Sequence, residues 1–288
     1  LNIVFGIDTT TAAAISGILG ILLFASPKMG GVLDNTAKVL GTVMLALIGY
    51  VAFSTNPPVA EAVTHAIVPT HYAWLATITL IGGTVGGYIT FSGGHRLIDA
   101  GITGREHLKD VRRAAFMGMS VDAIVRILLF LAVLGVVSMG FALDPKDPAG
   151  SAFLLGAGEI GHKLFGIVFF CAALTSVVGA AYTSVSFLKT LFKVVERYEK
   201  LTIMAFIFVS TCILIFIGKP ATLLIVAGSV NGLILPVTLA VMLLATRKTN
   251  IVGDYKHNPI LFYTGWIVVL VTAYIGVTSL QGIAKLLG

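Results

Sequence analysis

Apolar residues along this chain come in runs of about 20, separated by short polar connectors, which is the pattern of helices that cross a membrane. Eight such runs are predicted as spans, at residues 2–25, 38–54, 73–95, 114–140, 163–188, 201–218, 221–245 and 260–280. The connectors carry helix breakers: "SPKMGG", "STNPP", "LDPKDP", "GKP" and "KHNP". A transmembrane β-barrel would alternate apolar and polar residues in short segments, and this chain does not. The first run starts at once, with no basic residue before Lys28. A signal peptide needs a basic start, so 2–25 is read as a span and the chain as a fragment of a longer protein. The expected architecture is all-α, a polytopic helical membrane protein forming a single transmembrane domain.

Composition agrees: 57% of residues are hydrophobic and 11% charged, where soluble domains carry about 25% charge. The formal net charge of +6 is not a nucleic-acid patch, because in a membrane protein the placement of Lys and Arg matters more than their sum. Four alternate connectors hold most of the basic residues: Lys28 and Lys38; Arg96, Arg105, Lys109, Arg112 and Arg113; Lys189, Lys193, Arg197 and Lys200; Arg247, Lys248 and Lys256. This bias places those connectors in the cytoplasm of what is read as a bacterial inner membrane, with residues 55–72 outside. The expected surroundings are therefore lipid, not nucleic acid. Cys171 and Cys212 both lie in apolar runs and are read as free buried thiols.

The third run contains an anomaly, "LIGGTVGGYITFSGGHRLIDAG". Glycine inside a helix costs about 1 kcal/mol relative to alanine. Ten residues at about 1.5 Å each bring the chain from Ala73 to about 15 Å deep at Gly82, near the bilayer midplane. One reading is a broken helix whose freed carbonyl and N–H groups hold a substrate or ion. The other is close helix packing, since Gly82 with Gly86 and Gly83 with Gly87 have small-xxx-small spacing. Tyr88, Thr90 and Ser92 just beyond the cluster favour the site reading.

Other polar residues lie within the runs. Asp122 and Arg126 stand four apart, on one helical face where they can pair, at depths of about 12 and 18 Å. An ionisable residue at such depth is a functional candidate, here for proton or charge coupling; the alternative is a structural ion pair. Asn231 in "AGSVNGLILP" can bond a neighbouring helix or ligate a substrate. The stripe Ala172, Ser176, Gly179 and Thr183 reads as a packing seam. "GAGEIG", residues 156–161, fits a dinucleotide-binding pattern but lacks the strand–helix context. It is placed in an external connector, with Glu159 and His162 on a solvated rim. No nucleophile–base pair is evident, so no enzymatic activity is expected.

These segments together resemble the Nramp family of proton-coupled divalent metal transporters, over nearly the whole chain. "GGTVGGYI" is similar to the family's broken sixth helix, and "ALTSVVGAAYTS" falls at its eighth. "AGSVNGLILP" falls at the tenth, and "RKTNIVGDYKHN" at a following connector. The resemblance implies a LeuT-like inverted-repeat transporter fold in which the eight spans are helices four to eleven. The N-terminal three helices, partners for this chain, would be missing, and with them an Asp and an Asn that ligate metal.

The resemblance also implies departures. The family's metal-binding carbonyl falls on Gly83. Its methionine falls on Gly86, the following Pro and His on Gly87 and Tyr88, and the tenth-helix Gln on Gly228. Loss of a soft thioether argues against a manganese- or iron-selective site. The expected function is a secondary transporter for a harder divalent cation such as magnesium or manganese, coupled to protons, with no resident cofactor. The substrate-binding residues would be Gly83, Gly86, Gly87, Tyr88 and Asn231, with Asp122 and Arg126 for coupling. Two alternatives stay open: a carrier of a small organic solute such as an organic acid or amino-acid derivative, and a non-transporting membrane scaffold.

Overall fold

The computed structural model describes residues 1–85, 94, 97–145 and 147–287, and only the backbone over 27–37 and 281–287. Among the described residues the elements are helices, without a strand. In chain order these are α1 (Asn2–Phe5), α2 (Thr9–Ala25), α3 (Pro27–Ser54), α4 (Val59–Ile67) and α5 (Trp74–Thr84). Then follow α6 (Leu108–Ser138), α7 (Pro148–Leu191), α8 (Lys193–Arg197), α9 (Glu199–Ile217), α10 (Pro220–Ala245), α11 (Thr249–Val252) and α12 (Pro259–Leu287). Among the described residues, α6, α7, α9, α10 and the first part of α12 are long and apolar enough to cross a membrane. A further span arises if Lys38–Ser54 and Val59–Ile67, bent by 101°, count as one.

Several boundaries differ from the sequence reading, each for a local reason. The first run is two helices, because Gly6 takes a left-handed conformation at φ 66° and ends α1. Asp8 then caps α2, accepting from the Thr10 amide at 2.7 Å and from the Thr11 amide, which satisfies donors that a helix start leaves orphaned. "SPKMGG" is not a connector: Pro27 stands at the start of α3, where its missing N–H costs nothing. "GAGEIG" lies on the helical stretch Pro148–Leu191 and not in a connector. Gly158 supplies the break there, with φ 66° and ψ −170°, a conformation that glycine adopts without a Cβ clash.

The chain divides into two compact units. The first comprises Leu1–Thr70, Ile102–Val185 and Val194–Gly218. Its larger core joins Ile48, Val51 and Ala52 of α3, Ala132 and Val136 of α6, and Phe153 and Phe165 of α7. A smaller core joins Ala181 and Val185 of α7 to Ile203 and Ile207 of α9. The predicted seam on α7 is not the buried one: Ala172 and Ser176 are exposed and Thr183 is buried. The buried face runs instead through Phe165, Val168, Leu174, Ala181 and Val185, where Phe165, Val168, Leu174 and Val185 remove more apolar area from contact with the surroundings than the small seam residues would.

The second unit comprises His71–Gly101, Ser186–Lys193 and Lys219–Gly288. Within it α5, α10 and α12 pack on one another. Trp74 stacks on Tyr72 at 5.0 Å and meets Tyr274 of α12 edge-on at 5.7 Å. Such aromatics favour the membrane–water interface, which puts the start of α5 at that level.

Candidate substrate site at the end of a short helix

Helix α5 is 11 residues long, about 16 Å at 1.5 Å per residue, or half the thickness of a hydrocarbon core. It ends at Thr84, inside the glycine cluster. Carbonyls in the last turn of a helix lack intrahelical partners and carry a partial negative charge. Ile81 is satisfied by the Val85 amide at 2.9 Å, and Gly82 by the side-chain amide of Asn231, whose Nδ2 donates at 2.9 Å.

The glycines of this turn differ in role. Gly82 is buried against α10, where an added Cβ would run into the Gly228 carbonyl and the Gly232 amide. Gly228 faces the Thr79 carbonyl at 3.0 Å from a would-be Cβ, and Gly232 faces that of Ile78 at 2.5 Å. These three glycines let two backbones meet, the small-residue packing of membrane helices. Gly228 stands where the related motif has Gln, and here it belongs to this contact. Gly83, by contrast, is exposed, and a Cβ there would meet nothing within 4 Å. Gly86, Gly87 and Tyr88 lie outside the described residues, as do Thr90 and Ser92.

Hydroxyl chemistry reinforces the α5–α10 contact. Thr79 Oγ1 lies 2.8 Å from Ser229 Oγ, and either hydroxyl can donate to the other while the acceptor donates at 2.7 Å to its own helix, Thr79 to the Leu75 carbonyl or Ser229 to that of Ile225. Ser229 is fully buried. The sequence flagged Asn231 but not the Thr79–Ser229 pair, because partners 150 positions apart leave no local signal.

The charged pair is elsewhere. Arg126 Nε donates to Asp122 Oδ2 at 2.7 Å, as the spacing predicts. Both residues belong to α6 in the first unit, and their side chains are 44% and 48% exposed. His162 is a feature the sequence placed on a solvated rim: its Nε2 is buried, with no hydrogen-bond partner among the described residues. The first unit also holds a largely apolar cavity of about 420 Å³ between α2, α7 and α9, lined by none of the predicted site residues. Its hydroxyls at Ser16, Ser210 and Thr211 donate back to their own helices. Among the described residues no group of three or more His, Cys, Asp or Glu could hold a metal. The donors that α5 and α10 present are carbonyl, hydroxyl and amide groups, which suit hard cations.

An apolar chain whose described residues are helical, with five helices long and apolar enough to cross a membrane, belongs to the class of polytopic helical membrane proteins. Residues 1–281 match the Nramp family, described as natural resistance-associated macrophage protein-like. The chain is 49% identical over 280 residues to the uncharacterized membrane protein YcsG of Bacillus subtilis (strain 168), covering 97% of this chain and 69% of that protein. It is also 49% identical over 273 residues to an uncharacterized membrane protein of Haemophilus influenzae, covering 95% and 69%. No solved structure matches. The chain belongs to the Nramp family, whose members are membrane transporters of divalent metal cations with a LeuT-like helical fold. It is an integral membrane protein in contact with lipid.

Proposed function

We propose that this chain forms part of a secondary transporter for a hard divalent cation, magnesium or manganese rather than strictly iron, taken up together with protons. The observation that carries this reading is the end of α5 at Thr84, where the carbonyls of the last helical turn favour positive charge. The Gly83 carbonyl would ligate the cation, and Gly86, Gly87 and Tyr88 would line the same site. Asn231, bound to the Gly82 carbonyl, would fix the shape of the turn. The cation is cargo, and no resident cofactor is invoked. Asp122 would exchange the coupling proton beside Arg126. Orientation follows the basic connectors, which would face the cytoplasm of a bacterial inner membrane.

A small organic acid as cargo is the second reading. It is favoured by the open space that a Cβ at Gly83 would meet and by the absence of the family thioether nearby. Uptake by the full-length protein in proteoliposomes separates them. Magnesium or manganese uptake driven by an inward proton gradient supports the first reading, and uptake of organic acids without any divalent cation overturns it.

A further inference from the structure

We infer that Asp99 is a positioning residue for transport: it ties the stretch after the glycine cluster to the last turns of α7, through Ser186 and Lys189. Ser186 Oγ donates to Asp99 Oδ2 at 2.6 Å, and Lys189 Nζ lies 3.3 Å from the same oxygen. Ser186 is fully buried, and the side chains of Lys189 and Asp99 are 22% and 26% exposed. Ser186 and Lys189 stand three apart and so share one helical face. All three residues belong to the second unit.

The neighbouring hydroxyls behave differently. Thr183 and Ser184 donate back to the Gly179 and Ala180 carbonyls of their own helix, the usual way a hydroxyl is satisfied inside an apolar helix. Ser186 instead donates across to a carboxylate 87 positions away in the chain. A carboxylate three-quarters covered is costly unless paired and hydrogen-bonded. One ammonium and one hydroxyl on the same oxygen supply that compensation, and charge-assisted bonds are about twice as strong as neutral ones. The pairing therefore has a definite preferred geometry.

Asp99 follows the glycine cluster by a short stretch and closes a helical turn at 97–99. Transport that works by moving one half of a broken helix needs the far half held while the near half responds to cargo. The tie holds residues 97–99, which follow the glycine cluster in the chain, against Ser186 and Lys189. This inference rests on the reading of the third span as a broken, substrate-holding helix.

The test uses the full-length protein in proteoliposomes, with a single cysteine at Gly94, where a side chain meets nothing within 4 Å. The rate of labelling by an impermeant maleimide reads the freedom of this stretch without any cargo. Asp99→Asn should raise that rate about tenfold, the population shift that accompanies about 1.4 kcal/mol. Ser186→Ala should raise it less, and the exchange Asp99→Lys with Lys189→Asp should restore it to within about twofold of the parent. In uptake of manganese, Asp99→Asn should lower the maximal rate while leaving KM unchanged, and the exchange should recover it. An unchanged labelling rate in both Asp99→Asn and Ser186→Ala overturns the tie, as does failure of the exchange to restore it. Faster labelling with an unaltered maximal rate overturns the role in transport. Absence of uptake by the parent protein defeats the cation reading, and the labelling arm still decides the tie.

Discussion

The α5–α10 contact and the Asp122–Arg126 pair are both polar features of apolar helices, built in opposite ways. The first joins residues 149 and 150 positions apart, through Asn231 to the Gly82 carbonyl and Thr79 to Ser229. It is largely buried, Thr79 and Asn231 being half-buried and Ser229 fully so, and three glycines bring the backbones together. The second joins residues four apart on one helix and leaves both side chains about half exposed. The contrast separates two uses of polarity in a membrane protein. Interhelical bonds fix where backbones lie, whereas a pair within one helix neutralises charge and leaves the helix free to choose its neighbours.

The largest expected effect lies at the backbone contact. Gly82→Ala places a methyl group against the Gly228 carbonyl, an atom that moves only if α10 moves with it. Overpacking of this kind costs about 1–3 kcal/mol or more, so thermal unfolding of the purified full-length protein should shift down sharply. Gly83→Ala, one residue on, should leave it nearly unchanged because the added methyl meets open space. Equal behaviour of the two variants would erase the distinction drawn between them.

The next effect is at Asn231. Removing the amide in Asn231→Leu leaves the Gly82 carbonyl without this donor, and interhelical bonds in membranes average about 0.6 kcal/mol with a maximum of about 1.7. A modest loss of stability is expected, joined by weaker cargo binding if the turn holds the substrate. Ser229→Ala should do less, since Thr79 keeps its bond to Leu75. Smallest in stability is Asp122→Asn. Its expected signature is a flattened pH dependence of uptake with unfolding little changed. A pH profile parallel to that of the parent would reduce the pair to charge neutralisation.

What was legible in the sequence follows from range. Helix class, the Asp122–Arg126 pair and the end of α5 within its glycines depend on neighbours three or four residues away, which periodicity and spacing reveal. Gly82 and Gly83 are indistinguishable as letters, and only the position of α10 makes one a contact and leaves the other open. Gly228 reads in the sequence as a lost glutamine, whereas in the fold it is half of a backbone approach. The Asp99–Lys189 tie was not visible, because both residues sat in basic connectors that composition describes as solvated. Gly158 was visible as a glycine, but its surroundings were taken for a connector since nothing in "GAGEIG" announces that helix resumes after one reversed residue.

The central claim is that cation-binding chemistry sits at the carbonyl end of α5, and calorimetry of the full-length protein with Gly86→Met tests it most directly. Gly86 is where the family's thioether falls. The claim predicts that the parent protein binds magnesium and manganese, and that Gly86→Met strengthens manganese and cadmium binding relative to magnesium, because a soft sulfur discriminates between those ions far more than a carbonyl does. No divalent cation binding in either the parent protein or Gly86→Met would contradict it.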